Sequence, residues 1–166
     1  VAFYSLASNL VPGDTNWNDG VACDAFVYDR QTNNIRRVNV AADGTQAGDD
    51  SYGPAFSSDG RYVAFHTRAG NLLPGDDNGE SDVYVKDLQT GILQRVSTGA
   101  AGEQGNKSSF DAVFSPDGRY LYFSQDTTPG TTFSYNKDSN GQIYVIRRLD
   151  RETGKILDFV NGPGGA

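Results

Sequence analysis

The segment GDDNGESDVYVKD, Gly75 to Asp87, holds Asp76, Asp77, Asn78, Glu80 and Asp82 within seven positions. Hard cations such as Ca2+ take about six to eight oxygens from carboxylates, Asn side chains and backbone carbonyls on a flexible loop. Asp76, Asn78, Glu80 and Asp82 stand at alternate positions, a spacing that lets a turning loop aim its oxygens inward. The EF-hand pattern is only partly met, because Gly79 comes early and no Glu occupies the twelfth position. A second set, Asp14, Asn16 and Asp24, with Asn18 and Asp19 between them, lies upstream. A third, Asn136, Asp138 and Asn140, is weaker. Calcium is therefore an expected ligand of these loops. The competing reading is Asx turns, since Asp and Asn favour loops by bonding to nearby backbone N–H groups.

Other chemistry is sparse. His66 is the only histidine, and no G-x-S-x-G elbow is present to supply a nucleophile for it. A structural hydrogen bond on a strand is the expectation for it. Cys23 is the only cysteine, which rules out an intrachain disulfide and leaves His66 without companions for a zinc site. Trp17 stands alone in a loop, and with Phe133 and Tyr135 could form a stacking surface for a sugar or a protein partner. Asp59 and Asp117 resemble a carboxylate pair, but each sits in an Asp-Gly turn. Asp29, Asp87 and Asp150 likewise precede turns. The doublets Arg36-Arg37 and Arg147-Arg148 read as solvated strand positions or as partners for nearby Asp residues.

The elements that carry these residues repeat. VAFYSLASNLVPGD, from Val1, matches VAFHTRAGNLLPGD, from Val63. SSDGRYVAF, from Ser57, matches SPDGRYLYF, from Ser115. DRQTNNIRRV, DLQTGILQRV and DRETGKILDF begin at Asp29, Asp87 and Asp150. The linkers DGTQAGDDS and AGEQGNKSS form a fourth set. The order is the same each time, so the chain is read as repeat units of about 1–48, 49–106 and 107–160 in a single domain, with a Gly-rich tail at 161–166. Each unit predicts four short strands. Asp-Gly closes the first hairpin and Thr-Gly the last, because glycine accepts positive φ freely. Both alternating faces of the strands are apolar, as in Tyr62-Val63-Ala64-Phe65, which suits sheets stacked between neighbours.

FSSDGRYVAF and FSPDGRYLYF, followed by DVYVKD and IYVIRR, resemble the WD-like repeats of TolB-type β-propellers. The resemblance covers nearly the whole chain. It implies an all-β, partial propeller of about three blades of four antiparallel strands, the first incomplete, with eleven strands in all. It also implies protein binding or assembly without catalysis, in a bacterial periplasm, at a cell surface or outside the cell. A propeller closed by one chain uses about four or more blades. Three expectations stay open: a piece of a longer propeller, copies completing a ring through open blade edges, or an open module held by another chain. Two other functions remain: the propeller part of a larger enzyme such as a peptidase, and a calcium-dependent glycan binder using Trp17.

Composition sets the outer bounds. The 166 residues carry a formal charge of −7, 37% apolar residues and 21% charged residues. An acidic chain is a poor match for nucleic acid. No apolar run is long enough to span a membrane as a helix.

Overall fold

The computed structural model describes residues 1–16, 22–99, 102–126, 136–137 and 143–159. For 136–137, 143–146 and 157–159 it gives the backbone path alone. Every regular element described is a strand, arranged in three antiparallel sheets. The first sheet holds β1 (Ala2–Ser5), β2 (Asp24–Asp29) and β3 (Asn34–Arg37), in that order. The second holds β4 (Ser51–Phe56), β5 (Tyr62–Thr67), β6 (Asp82–Asp87) and β7 (Leu93–Arg95), also in chain order. The third holds β8 (Ser109–Phe114), β9 (Tyr120–Asp126), β11 (Ile143–Asp150) and β12 (Ile156–Phe159). A short extra strand, β10 (Asn136–Lys137), pairs with the start of β11. Twelve strands are thus described where the repeat predicts eleven. The addition lies inside the third long loop.

The repeated turns form for the reasons their residues suggest. Gly60 and Gly118 take φ of 69° and 71°. Asp59 Oδ1 accepts hydrogen bonds from the Ser57 hydroxyl and from Arg61 N, the latter at 3.0 Å. Asp117 does the same with Ser115 and Arg119. The hydroxyl bond first, and the backbone bond second, hold both carboxyls below their ordinary pKa. Arg61 then reaches Asp87 at 2.7 Å and Arg119 reaches Asp150 at 3.0 Å, tying the first hairpin of each blade to its last. Asp87 and Asp150 in turn accept from Gln89 N and Glu152 N, shaping the final turn. These aspartates serve the repeat.

The sheets stack face to face. Ala25, Val27 and Val38 of the first sheet pack on Val63, Phe65, Tyr84 and Leu93 of the second. On its opposite face the second sheet sets Ala64, Val83, Val85 and Val96 against Leu121, Phe123 and Leu149 of the third. All six residues of β6 are buried, as expected for a blade covered on both faces. Each large side chain of this kind contributes about 1.5–3 kcal/mol on removal from water. Lys86 crosses the first interface, its Nζ donating to Val40 O at 2.8 Å.

The inner strands carry a feature the repeat did not predict. β4 and β8 each shift register, between Tyr52 and Ala55 and between Phe110 and Val113. The bulges centre on Gly53, with φ 60°, and Asp111, with φ 54°.

Candidate functional site

In each repeat the long loop runs from the second strand to the third, so these loops leave the same end of each sheet. In the second repeat Asp82, at the start of β6, is fully buried. Its Oδ1 accepts from the Ser97 hydroxyl, and its Oδ2 lies 3.3 Å from Gln104 Nε2. Burial pushes its pKa up. Gln104 Nε2 also donates to Asp76 Oδ1 at 2.8 Å, and the Tyr84 hydroxyl donates to Asp76 Oδ2. Burial and that bond raise the Tyr84 pKa. Arg95 NH1 stands between the two carboxylates, 3.6 Å from Asp76 and 3.7 Å from Asp82, while its NH2 donates to Gly75 O at 3.0 Å. These are ion-pair distances without hydrogen-bond alignment at NH1.

The first repeat builds the same anchor from the equivalent residues. Arg37 lies 3.3 Å from Asp14 and 3.2 Å from Asp24. Asn39, in the place of Ser97, donates to Asp24 Oδ1 at 2.6 Å. Asn16 Nδ2 donates to the same oxygen at 2.9 Å and to Ala47 O at 3.0 Å. Gln46, the counterpart of Gln104, donates to Gly13 O and accepts from Thr15 N. Burial raises the Asp14 pKa against the pull of Arg37. The Arg37 side chain is only 6% exposed, so the solvated reading of this arginine is corrected: it is a buried partner of two aspartates.

The residues expected to bind calcium therefore divide. Asp76 and Asp82 converge, as do Asp14 and Asp24, but each pair converges on a guanidinium. Asn78 and Glu80 turn toward the next linker. Asn78 Nδ2 donates to Gly105 O at 2.6 Å, and Glu80 Oε2 accepts from the Ser108 hydroxyl at 2.6 Å. Asn78 Oδ1 also accepts from Glu80 N at 2.8 Å, an Asx turn. Asn16 joins the first anchor as a donor. Among the described residues, no group of three or more His, Cys, Asp or Glu is gathered to hold a metal ion.

Among the described residues, the third repeat has other residues at the strand positions of this anchor. Val145 stands opposite Gln125, where Asp82 stands opposite Thr67. Asp158 stands opposite Arg147, where Arg95 stands opposite Tyr84. Asn136 lies in β10, while Asp138, Asn140, Asn18, Asp19, Trp17, Phe133 and Tyr135 lie outside the described residues.

Sequence reading missed Arg95, Gln46 and Gln104. The signal was present: each glutamine falls at the same place in its linker, and Arg37 and Arg95 fall at the same place in DRQTNNIRRV and DLQTGILQRV.

His66 is half-buried on β5. Its Nδ1 accepts from Asp111 N at 3.4 Å, and its ring centroid lies 6.0 Å from that of Tyr52. Burial lowers its pKa, with Asp111 opposing. Cys23 is buried, and burial together with the nearby Asp50 pushes its thiol up to about 11, so it is inert at neutral pH.

No family model and no curated protein matches the chain. Solved structures do. A TolB-assigned protein of Agrobacterium tumefaciens superposes with a TM-score of 0.53 at 16% identity, over 82% of this chain and 40% of that one. The fold is that of a TolB-like β-propeller. The β-propeller domain of the Trilobed protease from Pyrococcus furiosus, described as having an open velcro topology, gives 0.51 at 15% identity over 85% and 35%. An oligogalacturonate lyase in complex with manganese gives 0.53 at 16% identity over 87% and 32%. The chain thus spans 40% or less of each of these structures. Because the TolB-like fold is shared by a protease's domain and a lyase, it does not select a reaction.

Within the described residues, no helix is long and apolar enough to cross a membrane.

Proposed function

We propose that this chain is a non-catalytic propeller module that binds a protein partner through the face carrying its long loops, in a bacterial periplasm, at a cell surface or outside the cell. The observation that carries this reading is the anchor repeated in the first two blades. Two arginines and two glutamines hold loops and linkers in place, leaving Asp77, exposed at a loop tip, on a stiff platform. Preordered loops bind without the entropy cost of ordering them. The side chains with catalytic potential support the same reading. Asp59 and Asp117 shape turns, His66 accepts a backbone N–H, and Asp82 faces Arg95 and Ser97.

We assign the stiffening of these loops to Arg37 and Arg95, in the place where calcium was expected. A guanidinium between two carboxylates offsets part of their mutual repulsion, with one positive charge against two negative ones.

A photo-crosslinking amino acid at Asp77, on the loop face, and at Glu152, on the opposite turn, tests the binding reading in the native host. A defined protein adduct from position 77 and none from 152 supports it. Equal yields from both positions, or peptide cleavage by the purified native protein, would contradict it.

A further inference from the structure

The second and third sheets meet over Val85, Val96 and Leu149, and toward the turn end this contact opens into a cavity of about 180 Å³. Tyr62, Gln94, Arg151 and Gly154 complete its lining, so it is built from the second and third repeats alone. Its floor is apolar, since Val85, Val96 and Leu149 are all buried. Its rim is polar. Gln94 is exposed on β7, and Arg151 is half-buried in the turn between β11 and β12.

Two contacts fix Arg151 in the wall. Its guanidinium lies over the Tyr62 ring, 3.9 Å from the centroid, and its NH1 donates to Gly118 O. Stacking uses the face of a guanidinium and leaves its edge for planar, bidentate partners. Among the described residues, nothing accepts from its Nε or NH2, and it has no ion-pair partner, whereas Arg61 and Arg119 hold Asp87 and Asp150. Asp59 senses the Arg151 charge, but that carboxyl accepts from Ser57 and Arg61 N. The first interface treats the matching positions differently. Arg36 stands at the place of Gln94, and Leu88 at the place of Arg151. There Arg36 NH1 donates across the interface to Leu88 O at 3.4 Å, and Leu88 packs against the core. Gln94 makes no such crossing bond among the described residues.

We propose that this cavity binds a small monocarboxylate whose apolar part is about the size of a benzene ring. Apolar walls enclosing about 150 Å³ are enough to hold one such ring. The ring packs on Val85, Val96, Leu149 and Tyr62, and the carboxylate takes the free edge of Arg151 through paired N–H···O bonds. Gln94 supplies a further donor at the rim. Arg151 is the one charged group in the lining and only donates, which selects an anion over a cation. The buried floor selects an anion with an apolar body over phosphate or sulfate. The site lies at the turn end and does not depend on the long-loop face.

The test titrates the 166-residue chain with benzoate at neutral pH, using NMR to follow the Gln94 side-chain amide and the Arg151 Nε–H. Saturable shifts at both groups are expected, with affinity about tenfold weaker for benzamide, which lacks the charge, and for acetate, which lacks the ring. Arg151→Met should weaken benzoate binding by a similar factor. The benzamide and acetate comparisons use the native chain and so do not depend on how the variant folds. No saturable shift with benzoate, equal binding of benzamide, or unchanged benzoate affinity in a folded Arg151→Met chain would overturn the proposal.

Discussion

The second and third blades are alike at one end and different at the other. At the outer turns the two share the same aspartate, arginine and hydroxyl bonds, and in both an arginine lies over the following tyrosine ring, at 4.9 Å in one and 5.1 Å in the other. At the long-loop end, Asp82 and Arg95 give way to the positions of Val145 and Asp158. The turn end closes a blade, a task common to all copies. The loop end faces outward and is free to diverge. Chemistry specific to one repeat therefore belongs at the loop end, where, among the described residues, the Arg-centred anchor is seen in the first two repeats.

The sharpest way to break this contrast is at Asp82. Asp82→Ala leaves the buried Ser97 and the half-buried Arg95 and Gln104 around an absent partner, and should cost about 3–5 kcal/mol. For a chain of this length that lowers Tm by roughly 10 °C in thermal denaturation. Arg119→Ala, which removes an exposed arginine from the turn end of the third blade, should leave Tm within error of wild type. Equal losses from the two changes would erase the distinction.

The bulges offer a second contrast. Gly53→Ala forces a side chain into φ 60° and brings its Cβ to 3.2 Å from the His66 ring. A loss of about 1–3 kcal/mol is expected in chemical denaturation. Asp111→Gly, at the equivalent bulge, relieves strain and should be neutral or stabilising by less than about 1 kcal/mol.

The smallest effect concerns His66. Its folded pKa lies below the ordinary value of about 6.5, so the unfolded chain binds its proton first. Its contribution is fully present above that value and is lost as pH falls through it toward the folded pKa. His66→Phe should flatten the part of the pH–stability profile that lies just below 6.5, as followed by urea midpoints. An unchanged profile would show that the ring titrates as it does in the unfolded chain.

Much of this fold was legible because the sequence states it three times. Asp-Gly and Thr-Gly turns, alternating apolar strands and matched linkers mark the blades in the residues themselves. The bulges were not legible, since nothing in SFDAVF marks Asp111 as left-handed. The site was half legible. Asp14 and Asp24, and likewise Asp76 and Asp82, were singled out from their spacing, and the structure sets each pair beside an arginine that the spacing did not show. Arg95 lies on another strand, and only the pairing of β6 with β7 brings it between Asp76 and Asp82. Local spacing carries loop oxygens; it does not carry a counter-charge that arrives through sheet register.

Hydrogen exchange across the loop from Ala69 to Ser81 tests the central claim most directly, on the native chain and on Arg95→Met, each in calcium and in EDTA. If the guanidinium holds the loop, Arg95→Met speeds exchange from Asp76 to Glu80 by about tenfold or more, and calcium changes neither protein. Exchange that ignores Arg95→Met but slows when calcium is added would contradict the account and restore the metal.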